Sequence, residues 1–172
     1  LGKTASYTYN TLQGSVNTAA DPKGNQTGYG YDSIHRISSV TAKDKENNTV
    51  ATVAYSYTGD YLNAITRHDG MSYGLVTDTF GNTTSITAVG NTLVTNEYDY
   101  LHALLTKTTY GNGYVLTYTY DEYDRLKTVK EGNTTIYTAY YDGDGRLYRS
   151  TDGKTGITSQ YDYDLPGKLV RA

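Results

Sequence analysis

The chain has 172 residues, among them 21 Tyr, 29 Thr and 18 Gly but one Phe, no Trp and no Cys; this strand-forming, turn-rich composition with few good helix formers excludes a helical bundle. A net charge of −3 without any basic run argues against nucleic-acid binding, and a mean hydropathy of −0.62 without an apolar run near the ~20 residues of a span points away from membrane insertion. The lack of cysteine removes disulfides, thiol nucleophiles and zinc-thiolate sites together.

In chain order, one pattern recurs. It begins weakly at Tyr9-Asn10 and is nearly complete at Tyr31-Asp32-Ser33-Ile34-His35-Arg36-Ile37. Weaker copies follow at Tyr57-Thr58, at Thr77-Asp78 with Gly81-Asn82, and at Tyr98-Asp99 with His102-Ala103-Leu104. Three strong copies close the chain: Tyr120-Asp121 through Arg125-Leu126, Tyr141-Asp142-Gly143-Asp144-Gly145-Arg146-Leu147, and Tyr163-Asp164-Leu165-Pro166-Gly167-Lys168-Leu169. The anchors at 9, 31, 57, 77, 98, 120, 141 and 163 lie 20 to 26 residues apart, so residues 1–172 read as one array of about eight units. The longest interval contains Lys43 to Asn48, which reads as a lengthened loop.

A second turn signal falls midway between anchors, as in Asp21-Pro22-Lys23-Gly24-Asn25, Gly111-Asn112-Gly113 and Asp152-Gly153-Lys154. Two turns per unit leave two strands of about six residues each, one β-hairpin with a return turn. Eight hairpins give about 16 strands in one long antiparallel sheet, and twisted sheets rarely pass ~10 strands without curling, so an open spiral or partial shell is expected. In Tyr114 to Tyr120 the alternation sets Tyr114, Leu116, Tyr118 and Tyr120 on one face and Val115, Thr117 and Thr119 on the other. The outgoing strand breaks that rule: Leu126 and Val129, like Ile37 and Val40, are three apart. Either a bulge restores the face or both faces are partly buried.

The signature has a physical reading. An Asp at the start of a turn accepts backbone N–H bonds two residues on, and the cation four positions later lies against it, giving the pairs Asp32/Arg36, Asp121/Arg125, Asp142/Arg146 and Asp164/Lys168. Tyr31, Tyr98, Tyr120, Tyr141 and Tyr163 offer rings expected to stack into a ladder along the sheet, with Asp99 in the same turn frame.

The motif Tyr-Asp-x-x-Gly-Arg-Leu, complete at Tyr141 to Leu147 and recurring in phase over the whole chain, resembles the Rhs/YD-repeat family. The resemblance implies a strip of hairpins wound into a hollow shell, as in the Rhs and toxin-complex cocoons and the teneurin barrel, enclosing or presenting a toxin or adhesin domain of a large bacterial secreted or wall-associated protein. Related repeats are also linked to carbohydrate binding and adhesion. The aspartate-rich self-cleaving segment that closes complete shells is missing from this sequence. The expected partners are the remainder of the same polypeptide and, in the alternative, polysaccharide. Leu1 in place of Met and the lack of a charged-then-apolar leader imply no signal peptide in this segment and ends that are cuts in a longer protein.

Catalysis finds no footing. His35 and His102 occupy a position where other units carry Asp124, Gly81, Gly145 and Gly167, which is turn chemistry, and His68 is far from both in repeat order. Carboxylate pairs such as Asp142/Asp144 recur in phase as turn makers, and no spacing matches a calcium loop, so neither metal nor cofactor is expected. No Gly-x-Ser-x-Gly elbow occurs. Tyr100, Tyr110, Tyr123 and Tyr148, which fall outside the anchor ladder, are the rings expected to be exposed and able to contact a glycan. The isolated segment is expected to self-associate through open sheet edges.

Overall fold

The computed structural model describes residues 4–172; Leu1, on which the expectation about the chain's start rests, lies outside the described residues. No helix occurs among the described residues, which form 17 strands. In chain order these are β1 (Ser6–Tyr9), β2 (Val16–Ala20), β3 (Gln26–Tyr31), β4 (Ile37–Lys43), β5 (Thr49–Thr58), β6 (Tyr61–Arg67), β7 (Ser72–Thr77), β8 (Thr83–Ala88) and β9 (Asn91–Tyr98). There follow β10 (Leu105–Tyr110), β11 (Val115–Tyr120), β12 (Leu126–Glu131), β13 (Thr134–Tyr141), β14 (Leu147–Asp152), β15 (Thr158–Gln160), β16 (Asp162–Tyr163) and β17 (Leu169–Arg171). Strands β1 to β15 pair in sequence order in one antiparallel sheet that does not close into a barrel, and β16 pairs with β17. The count differs from 16 strands in one sheet because the strand entering the last turn is broken at Tyr161, whose N–H still donates to the Tyr148 carbonyl at 2.9 Å.

The chain divides into two compact units, one ending at Thr77 and taking in Ile86–Asn91, the other Asp78–Ser85 with Thr92–Ala172. Within each, register separates two kinds of face. In the first, Tyr29, Val40, Val53, Tyr55 and Ile65 stand on one side and Thr18, Ser39, Thr41, Thr52 and Ala54 on the other. In the second, Leu116, Tyr118, Val129, Tyr137 and Ala139 share a face, opposite Thr117, Thr119, Thr128, Thr138 and Arg149. The hydroxyl face is stitched by cross-strand pairs, Thr8 with Thr18 and Thr119 with Thr128, each at 2.7 Å. One sheet layer leaves nothing to cover either face fully. Among the described residues only Ala139, Thr108 and Ser150 are buried, all on the tyrosine face of the second unit; stability therefore rests on strand-to-strand contacts, as in a repeat array.

The outgoing strand resolves as a bulge. Tyr120 pairs with Leu126 and Thr119 with Thr128, so Lys127 is the extra residue, and Tyr118 then faces Val129. The same shift inserts Ser38 after Ile37, Asn63 after Leu62, Thr106 after Leu105 and Tyr148 after Leu147. One surplus residue converts a spacing of three into two residues on one face.

The stretch Lys43 to Asn48 is not a lengthened loop. Lys43 ends β4, and Asp44 to Asn48 close a compact turn in which Asp44 Oδ1 accepts from the Asn48 N–H at 2.8 Å. The surplus goes into strand length instead, seven residues in β4 and ten in β5.

Candidate functional site

The recurring turn is built by one carboxylate. At Asp121, Oδ1 accepts from the N–H of Tyr123 (3.0 Å) and Arg125 (3.0 Å), while Oδ2 accepts from Arg125 Nε at 2.7 Å. Asp32 binds Ile34, Arg36 and the Arg36 side chain in the same way, and Asp142 binds Asp144, Arg146 and the Arg146 side chain. The midway turns at Asp21 and Asp44, and the turn at Asp78, use the same geometry with asparagine in the cation's place, as Asn25 Nδ2 donates to Asp21 Oδ2 at 2.8 Å. At Asp164 only the Lys168 backbone N–H, at 2.7 Å, is held, so the expected Lys168 side-chain pairing is not made.

These bonds favour the ionised carboxylate. The Arg125 side-chain bond holds Asp121 below the ordinary carboxylate value, backbone donation from Arg146 does the same at Asp142, and at Asp32 the upward push of partial burial is outweighed by its bonds to Arg36. The residue three past the Asp takes a left-handed backbone: Gly145 at φ 82°, but also His35 at 68° and Asp124 at 61°. His35 is therefore a turn residue. His102 does not occupy that place, because the turn between Asp99 and Leu104 is one residue longer and Ala103, at φ 55°, takes the left-handed conformation.

The anchor tyrosines do not stack on one another. Ring contacts among the described residues join Phe80 to Tyr100, Tyr110 to Tyr114 and Tyr140 to Tyr148, none an anchor pair. Six of the seven anchor tyrosines instead reach back one unit. The hydroxyls of Tyr31, Tyr57, Tyr98, Tyr120, Tyr141 and Tyr163 donate to the carbonyls of Val16, Ile37, Thr83, Leu105, Leu126 and Leu147 at 2.8 to 3.1 Å. At five of these six, register places the bulge directly after the accepting carbonyl. A bulge interrupts the ladder there, and the hydroxyl gives the carbonyl a partner. Burial pushes the Tyr120 and Tyr141 hydroxyls above their ordinary value, which keeps them as donors.

The arginine completes the grip. Arg36 lies 4.0 Å from the ring centroid of Tyr57, Arg125 4.5 Å from that of Tyr141 and Arg146 5.4 Å from that of Tyr163. A Cβ added at Gly145 would meet Arg125 Nη1 at 3.2 Å, so the next turn's glycine leaves room for that guanidinium. Asp32, Asp121 and Asp142 thus each aim an arginine whose aromatic partner is the anchor of the following unit. Sequence reasoning found the Asp/Arg pairs and missed this second partner. The signal was present: the accepting residue and its tyrosine are separated by 15 or 16 positions in five of six cases and by 20 where β4 and β5 are long.

The four tyrosines named for glycan contact are dispersed. Tyr100 is 80% exposed and edge-on to Phe80 at 5.6 Å, Tyr123 is 68% exposed with Arg125 4.8 Å from its ring, and Tyr110 and Tyr148 are partly covered by Tyr114 and Tyr140. No contact joins any two of the four among the described residues. Phe80 and Tyr100 flank a cleft of about 290 Å³ lined also by Asn96, Glu97 and Asp99. No group of three or more His, Asp or Glu side chains placed to hold a metal occurs among the described residues.

No protein-family model matches the chain. No curated protein matches it either. Among solved structures, it is similar to TcdB2-TccC3 (TM-score 0.76, 15% identity), to TcdB2-TccC3 without its hypervariable C-terminal region (0.77, 14%) and to TcdB2-TccC3-Cdc42 (0.76, 15%). Each match covers 96% of this chain and 10% of the other, so the chain spans about a tenth of the length of those chains and shares their fold over that tenth.

Proposed function

We propose that the chain is a non-catalytic structural segment of an Rhs/YD-type β-shell, one stretch of about eight units in a longer secreted or surface polypeptide that encloses or presents a toxin or adhesin domain. The observation that carries this reading is the clasp. Asp, Arg, Tyr and the bulge carbonyl spend their chemistry binding one hairpin to the next, which is the work of a wall. The fold shared with TcdB2-TccC3 over nearly the whole chain supports it, as does the resemblance of the Tyr-Asp-x-x-Gly-Arg-Leu motif. Both sheet faces are left half exposed, which suits a wall whose two sides meet different surroundings.

The test is made in the longer polypeptide. Substituting Arg36, Arg125 and Arg146 together by Ala loosens three clasps and should make the enclosed domain sensitive to added protease, while leaving the isolated domain's own activity unchanged. Protection equal to that of the parent would overturn the shell reading.

A glycan-binding reading draws on one observation, the exposed Phe80–Tyr100 pair beside Asn96 and Asp99, where a ring can stack on a sugar and amide or carboxylate groups can meet its hydroxyls. Titration with soluble wall polysaccharide, comparing Tyr100→Ala, separates the two: binding lost in the variant supports it, and no binding by the parent chain removes it.

A further inference from the structure

Five of the six arginines pair with a carboxylate: Arg36, Arg125 and Arg146 within their clasps, Arg67 with Asp69 at 3.2 Å and Arg171 with Asp162 at 2.9 Å. Arg149 is the exception among the described residues. Its guanidinium lies 3.8 Å from the ring centroid of Tyr140 and 5.8 Å from that of Tyr148, and the two rings stand 6.4 Å apart. The bulge after Leu147 makes this cluster, because it adds Tyr148 beside Arg149 and sets Arg149 opposite Tyr140. The Arg149 Nε is buried without a hydrogen-bond partner, an arrangement that costs stability unless something outside the strand uses the group. The ring contact is closer than in any clasp, where the distances are 4.0, 4.5 and 5.4 Å and an Asp completes the arginine's bonding. Strand β14 is interior, paired on both sides with β13 and β15, so Arg149 is set among its own neighbours. From β11 to β15 the charged residues that pair onto its face are Lys130 and Arg149, with no carboxylate, in a chain of net charge −3.

We propose that Arg149, backed by Tyr140 and Tyr148, is a docking point for a carboxylate on an acidic polypeptide segment, carried by the domain that the wall encloses. The identity of that partner rests on the shell reading. The demand for a carboxylate rests on the charge of this face and on the bonding of the other five arginines. A guanidinium presents parallel N–H donors that match the edge of a carboxylate, and a ring behind it keeps the fork flat and partly desolvated, which strengthens the pair. Thr138 and Thr151, paired in the next row of the same face, offer hydroxyls to the backbone of a docked segment. A sugar fits this place less well, because the Tyr140 ring face on which it would stack already holds the guanidinium.

The test titrates the isotope-labelled chain at low salt with a soluble alternating Glu/Thr peptide, its Gln/Thr counterpart and an oligouronate. The Glu/Thr peptide should move the Arg149 Nε–H resonance and the Gln/Thr peptide should not. Arg149→Gln, with its far-ultraviolet circular dichroism unchanged, should weaken binding of the Glu/Thr peptide at least ~10-fold. Arg149→Lys, which keeps the charge and loses the fork, should weaken it about 5-fold. Equal binding of the Gln/Thr peptide, tighter binding of the oligouronate than of the Glu/Thr peptide, or an Arg149 resonance that stays still in the parent chain would each overturn the proposal. The resonance decides the matter even if Arg149→Gln fails to fold. Because the titration uses this chain alone, it can fail while the longer polypeptide still protects its enclosed domain from protease, and the reverse, so the two readings fall separately.

Discussion

The guanidinium of Arg36 sits 4.0 Å from the ring centroid of Tyr57, the anchor of the next unit, while its Nε donates to Asp32 within its own turn at 2.7 Å. One side chain therefore closes a local turn and holds a distant strand. The carboxylate fixes the arginine's direction, so much of the side-chain entropy of the inter-unit contact is already spent locally.

That arrangement predicts coupling across units. Arg125→Ala should destabilise the chain by about 1–2 kcal/mol, the sum of a lost partly exposed ion pair and a lost cation–π contact. A double-mutant cycle with Tyr141→Leu, followed by urea denaturation, should show about 0.5–1 kcal/mol of interaction energy. Strict additivity would mean that Arg125 serves its turn alone.

The tyrosine hydroxyl and ring separate cleanly. Tyr120→Phe leaves the Leu105 carbonyl without its partner and should lose about 1 kcal/mol, whereas Tyr120→Ala, which also empties a half-covered site, should lose about 3 kcal/mol. Comparing the two midpoints at unchanged denaturant slope reads both contributions.

Backbone handedness gives changes of opposite sign. Asp124→Gly relieves a non-glycine residue at φ 61° and should stabilise by about 0.5–1 kcal/mol. Gly145→Ala imposes the same strain and crowds Arg125, and should destabilise by about 1–2 kcal/mol. Thermal melting of the two variants checks the pair.

Acid should weaken the fold through its turn carboxylates. Asp32, Asp121 and Asp142 are held below the ordinary 3.8, so the unfolded chain takes up protons first as pH falls. Their stabilisation is complete above that ordinary value and disappears as pH drops through the lower folded values. Urea midpoints measured from pH 7 to pH 2 should fall mainly below pH 4, and Asp121→Asn with Asp142→Asn should flatten the profile.

Much of this molecule is local, and the local part was legible in the residues. The all-strand composition, the recurrence of Tyr-Asp, and the turn at each Asp follow from backbone preferences and one carboxylate's reach over four positions, which tertiary context did not override. The pairings Asp32/Arg36, Asp121/Arg125 and Asp142/Arg146 belong to this class. What tertiary structure decided depends on register. The spacing of Leu126 and Val129 admitted either a bulge or two half-buried faces until Tyr120 was set opposite Leu126 and Tyr118 opposite Val129. The surplus near Asp44 could lengthen a loop or the strands; hydrogen bonds from Asn48 to Asp44 kept the turn short and sent the extra residues into β4 and β5. The stacking ladder failed for the same reason. Which group meets the ring of Tyr141 is fixed by where β13 lies against the preceding turn, and that placement brings Arg125 and the Leu126 carbonyl to it in place of another ring.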